Sequence, residues 1–133
     1  MIPPFDENGY LPPGLHLATL DEIAIRFGQT SELRQVQMQS LRWLLDVAWR
    51  AGVERLVING SFTTDVPEPN DVDCVLLMGT DFPSDSEAEQ ELLDGLPFLE
   101  IQLVRLARFC VLTESFFASD RHSIPKGMIE VLR

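Results

Sequence analysis

Leu56-Val57-Ile58-Asn59-Gly60-Ser61 and, beyond residues 62–70, Asp71-Val72-Asp73-Cys74-Val75-Leu76-Leu77-Met78 form the stretch whose reading decides the fold. Leu56 to Asn59 is a short β-type run. Gly60 ends it, allowing a sharp turn and leaving no side chain to obstruct a ligand. The apolar residues that follow each acid mark a second, buried strand. Strand side chains alternate faces, so Asp71 and Asp73 point one way while Val72 and Cys74 point the other. Two carboxylates held this close repel unless a cation lies between them, and such hard oxygen donors suit Mg²⁺ or Mn²⁺. The pattern therefore predicts a metal site at Asp71 and Asp73. Taken singly its parts are unspecific: Gly-Ser also reads as an ordinary strand-ending turn, and Asp-x-Asp as solvated acids at a strand end.

Working outward, Pro67-Glu68-Pro69-Asn70 imposes a stiff, extended lead-in to Asp71. Ser61-Phe62-Thr63-Thr64-Asp65 predicts a short helix or turn whose N–H groups and hydroxyls cradle phosphate oxygens. Thr19-Leu20-Asp21-Glu22 is a capping box, predicting a short helix to about Phe27 that ends at Gly28. A longer helix follows, capped by Thr30 or Ser31 and ended by Gly52, with Leu33, Val36, Leu41, Leu44, Leu45, Val47, Ala48 and Ala51 as its apolar stripe. Trp43 and Trp49 flank that stripe. They read as core or edge packing in preference to a base-stacking platform. Residues 1–18, with Pro3, Pro4, Pro12, Pro13, Gly9 and Gly14, carry turn chemistry, not that of a helix or central strand. Their interspersed apolar residues predict an arm packed over the domain, the alternative being a disordered terminus.

A chain of 133 residues has room for one core, and 45% hydrophobic with 23% charged residues is the balance of a globular protein. No window approaches the roughly eighteen apolar residues of a membrane span. The opening Met1-Ile2-Pro3-Pro4-Phe5-Asp6 has neither a basic start nor an apolar core, so a cytoplasmic protein without a secretory leader is expected. Cys74 and Cys110 stand outside any Cys-x-x-Cys or Cys/His spacing and read as small core hydrophobes. The formal charge of −11, with ten scattered basic residues, repels a phosphate backbone and argues against bulk nucleic acid as a partner. A single nucleotide delivered with its metal stays compatible.

Hydrophobic-Gly-Ser, a gap, then Asp-hydrophobic-Asp-hydrophobic resembles the motif of the DNA polymerase beta-like nucleotidyltransferase superfamily, here Ile58-Asn59-Gly60-Ser61 through Asp71-Val72-Asp73-Cys74. More narrowly, the chain resembles a small bacterial family of minimal nucleotidyltransferase-like proteins. The shared stretches are Ile2-Pro3-Pro4-Phe5-Asp6, Leu11-Pro12-Pro13-Gly14, Gly60-Ser61-Phe62-Thr63, Glu68-Pro69-Asn70-Asp71-Val72-Asp73 and Pro125-Lys126-Gly127. In the superfamily a third carboxylate sits on a later strand. Pro97 to Leu106 reads as that strand, and Glu100 is the acid in its apolar run Phe98–Val104. Burying an unpaired carboxylate costs several kcal/mol, so either a metal or a cation partner such as an arginine is expected beside it. Aspartate is more usual there, and Phe62, not a basic residue, follows Gly-Ser.

The remaining segments predict a helix over Glu87–Leu93 capped by Ser84, a helix over residues 107–118 burying Phe109, Leu112, Phe116 and Phe117, and a last strand from Met128 to Leu132. Arg121 and Lys126 are the cations placed to meet phosphate; His16 and His122 receive no role. Helices alternating with three or four strands give an α/β or α+β two-layer fold, and the resemblance implies the α+β form, a short mixed sheet with helices mainly on one face. The resemblance implies nucleotidyl transfer from Mg-NTP, ATP above all, to a protein or small-molecule hydroxyl. Asp71, Asp73 and Glu100 would hold the metal and do the chemistry, with Gly60, Ser61, Thr63 and Lys126 on the nucleotide. The alternative is a nucleotide-binding or antitoxin-like interaction module that acts beside a partner protein.

Overall fold

The computed structural model describes all 133 residues, Met1–Arg133. In chain order the elements are β1 (Gly14–Ala18), α1 (Leu20–Phe27), α2 (Glu32–Ala51), β2 (Val53–Asn59), β3 (Val72–Met78), α3 (Ser86–Asp94), β4 (Leu99–Val104), α4 (Leu106–Val111) and β5 (Gly127–Val131). The five strands form one mixed sheet in the order β1-β5-β2-β3-β4. β1 runs parallel to β5 and β3 parallel to β4, while β2 is antiparallel to both its neighbours. The fold is the expected two-layer α+β arrangement. Its fifth strand is the correction: the proline-rich arm ends in β1, an edge strand, because Gly14–Ala18 finds backbone partners in Gly127–Val131, far away in the chain.

Strand alternation divides the sheet into two faces. Leu56, Ile58, Val72, Cys74, Leu76 and Ile129 belong to the large core, packed with Ile23, Phe27, Leu41, Leu44 and Leu92 of the helices. Val57, Val75, Leu77 and Met128 face the other way and pack under Phe109 and Leu112. α4 therefore covers part of the second face and leaves the rest of it open.

Local signals set the element ends. Thr19 and Glu22 close a capping box on α1, Ser31 caps α2, and Gly52 ends α2 in the left-handed region at φ 99°. Asp85, not Ser84, caps α3, since its carboxylate reaches the amides of Glu87 and Ala88. The predicted α2 stripe is wrong at its start. Val36 is 42% exposed, while Arg34, Gln37 and Met38 are buried there. Those two polar residues turn inward because unpaired backbone carbonyls await them, as described below. The helix predicted over 107–118 is α4 continued by a π-helical turn, Leu112–Phe116, and that widened turn swings Phe116 out to 67% exposure, against expectation. Both tryptophans pack against the large core.

The N-terminal arm is tied down. The Asp65 amide donates to the Gly9 carbonyl (3.1 Å) and Gly127 N–H to Leu11 (2.9 Å), while the Tyr10 hydroxyl donates to Asp120 Oδ2 (2.7 Å). His16 hydrogen-bonds the Pro12 carbonyl (2.7 Å) and stays structural. No helix is long and apolar enough to cross a membrane, and both cysteines are free thiols.

Candidate functional site

Register builds the site. Asn59, the last residue of β2, pairs with Asp73 of β3, and Asp73 pairs with Glu100 of β4. Directly paired residues share a face, so Asn59, Asp73 and Glu100 stand in a row at the open end of the second face. Lys126 immediately precedes β5 at this end of the sheet, and its charge is felt at Asp73.

Asp73 is the strained member. Burial pushes its carboxyl from 3.8 up to about 6, helped by the charge of Glu100, by a hydrogen bond shared with Glu100 and, more weakly, by Asp71; Lys126 pulls it back down. Gly60 lies against this carboxylate. At φ 82° it adopts a conformation that side chains avoid, and a Cβ added there would run into Asp73 Oδ2. The glycine of the motif thus makes room for the acid.

The turn after Gly60 is a single 3₁₀ turn, Gly60–Thr63. Thr63 is buried and its hydroxyl donates to the Gly60 carbonyl (3.0 Å), so it braces the turn from within and does not face a ligand, contrary to expectation. The Ser61 hydroxyl makes no hydrogen bond within the chain and Lys126 makes no ion pair. Both remain available.

The acids divide differently from the sequence reading. Glu100 lies on the edge strand β4 and is exposed, so the expected burial penalty falls on Asp73 instead. No arginine pairs with Glu100. Asp71 precedes β3, is exposed, and touches the pair through its charge. No group of three or more His, Cys, Asp and Glu stands at metal-holding distances. Asp73 and Glu100 are nevertheless two hard oxygen donors in mutual repulsion, a fit for one divalent cation whose remaining positions go to water and phosphate oxygens, the usual habit of Mg²⁺.

Three residues to which the sequence reading gave no role shape the site. Asn59 is fully buried, and neither Nδ2 nor Oδ1 has a hydrogen-bond partner. A buried amide left unpaired beside an acidic pair is an unspent recognition element. Arg34 of α2 donates to the carbonyls of Phe62 (2.8 Å), Thr64 (2.8 Å) and Val66 (2.6 Å), holding the loop that follows Ser61. Gln37, one turn on, donates to Pro69 (2.6 Å) and fixes the lead-in to Asp71. An arginine and a glutamine three residues apart near the start of an apolar helix are the sequence signal for this.

Over residues 3–132 the chain matches the model of a family of unknown function (DUF6932), and it belongs to that family. No curated protein and no solved structure matches it.

Proposed function

We propose that the protein is a nucleotidyltransferase that moves a nucleoside monophosphate, AMP by resemblance, from Mg-NTP to a hydroxyl of a protein or small molecule. The observation that carries this is the pairing of Asp73 with Glu100 beside the Gly60-Ser61 turn. One of the paired carboxyls is held near 6, poised for a cation or a proton. Asp73 and Glu100 would hold Mg²⁺ or Mn²⁺, with Asp71 beside them; when bound, the metal offsets phosphate charge and polarises the α-phosphoryl group. The chain's own residues do the rest. Gly60 leaves room for the Asp73 carboxylate at the turn, Ser61 offers its free hydroxyl to a phosphate, and Lys126 supplies positive charge at the same end of the sheet. Glu100, exposed on the edge strand, takes the proton of the acceptor hydroxyl as that oxygen bonds the α-phosphorus and pyrophosphate departs. The acidic surface favours a protein or small-molecule acceptor over a polynucleotide.

One observation favours a second reading. Only two carboxylates are brought together, and Asp71 stands apart, as suits a nucleotide-binding module that acts through a partner protein in the antitoxin-like manner. Incubation with ATP labelled on the α-phosphate, Mg²⁺ and cell lysate separates the two. Transfer predicts a labelled acceptor, lost in Asp73→Ala and in Glu100→Ala. Mg-ATP binding by calorimetry without any labelling selects the binding module, and absence of both binding and labelling defeats both readings.

A further inference from the structure

Arg34 is 3% exposed, yet no carboxylate touches it. All its N–H groups go to backbone carbonyls: Nε to Val66, Nη1 to Phe27 and Phe62, Nη2 to Thr64 and Val66. Carbonyls satisfy the hydrogens but leave the charge without a counter-ion, and a buried charge in that state is costly. Asp65 is the only acid whose field reaches it.

Beside Arg34 opens a cavity of about 280 Å³, lined also by Phe5, Arg26, Thr30, Thr64 and Asp65. Arg26 stacks on Phe5 with its guanidinium carbon 4.3 Å from the ring centre. Its Nη1 donates to the carbonyls of Pro3 (2.9 Å) and Ile2 (3.4 Å), whereas Nε and Nη2 donate to nothing in the chain. The Thr30 hydroxyl is likewise unengaged and exposed. Two guanidinium groups against one carboxylate give this cavity a positive field inside a chain of formal charge −11. Open donors, positive charge and a concave shape converge at one place, and Asp73 and Glu100 are not among its lining residues.

We propose that this cavity is a binding site for a small oxyanion of the phosphate or carboxylate class, held directly by Arg26 and Thr30 and electrostatically by Arg34. The occupant would supply the counter-charge that Arg34 lacks. It would also join two segments, since Arg26 holds the first residues of the arm and Arg34 holds the carbonyls that follow Ser61. Binding therefore stiffens the turn on which the acidic site is built, whatever that site's own chemistry.

The test is thermal unfolding with inorganic phosphate, and separately with acetate, each against chloride at equal ionic strength. Phosphate in tenfold excess over its dissociation constant should raise the melting temperature by about 5 °C. Arg26→Gln should lose that rise, Asp65→Asn should enlarge it, and Ser61→Ala, on the candidate active-site turn, should keep it. An equal rise with acetate assigns carboxylates as well. Amide NMR provides a readout independent of stability: phosphate should shift Thr30 and Thr64 in the wild type and not in Arg26→Gln. No rise with either anion, a rise that survives Arg26→Gln, or one that Ser61→Ala abolishes would each overturn the proposal.

Discussion

Replacing Asp73 by Asn should stabilise the protein above neutral pH and leave it almost unchanged in acid. In the folded chain the Asp73 carboxyl is pushed up to about 6, first by burial and then by Glu100, from an ordinary value of 3.8. A carboxyl raised in the folded state binds its proton more tightly there than in the unfolded chain. Its contribution is therefore fully favourable below about pH 4 and is lost as pH rises through about 6. At about 1.4 kcal/mol per pH unit the displacement corresponds to about 3 kcal/mol. Asp73 is only partly buried, so solvent screening reduces this to about 1–2 kcal/mol. Asparagine has the same shape, carries no charge and can donate to Glu100. Urea denaturation of both proteins between about pH 4 and pH 8 should show the variant gaining about 1–2 kcal/mol at the alkaline end, the gain shrinking to near zero at the acid end. Saturating Mg²⁺ should narrow the alkaline difference by stabilising the wild type alone. A variant less stable than wild type at about pH 8, or a difference without pH dependence, would refute the reasoning that Asp73 is held against repulsion.

Other consequences follow from the residues that hold the site. Arg34→Leu leaves the carbonyls of Phe27, Phe62, Thr64 and Val66 without their donor, and chemical denaturation should register a loss of about 3–5 kcal/mol. Gly60→Ala forces a Cβ into Asp73 at a positive φ, costing about 3 kcal/mol or more by thermal unfolding, whereas Gly95→Ala, at φ 70° and ψ −172° but with open space around it, should cost less, about 1–2 kcal/mol from backbone strain alone. Asn59→Ala removes two unpaired polar atoms along with some packing, so stability by urea titration should fall by less than about 1 kcal/mol, while Mg-ATP binding measured by calorimetry should weaken.

Much of the fold was legible because its signals are local. The Thr19/Glu22 box, the Ser31 cap and Gly52 act within one helical turn, and the alternation of Val72 to Leu76 declares a strand with one acid on its open face. The candidate site was legible as far as Gly60, Ser61 and Asp73, which lie within a single hairpin-like passage of chain. Its remaining members were misjudged wherever a distant partner decides the outcome. Glu100 looked central and buried from its apolar neighbours, but strand order places β4 at the edge. Thr63 looked outward until its hydroxyl closed on Gly60. Val36 fitted the stripe of α2, yet the helix rotates Arg34 and Gln37 inward toward the carbonyls of the 62–70 loop.

The sequence by itself determined the α+β class, most element boundaries and the acid–glycine motif, since capping, turn formation and side-chain alternation depend on residues a few positions apart. Only the tertiary structure decided that Gly14–Ala18 is a strand, that Asn59 stands opposite Asp73, that Glu100 rather than Asp71 is its close partner, and that two arginines face one cavity. Those outcomes rest on strand order, register and burial, which arise when segments far apart in the chain compete for the same core and the same backbone hydrogen bonds.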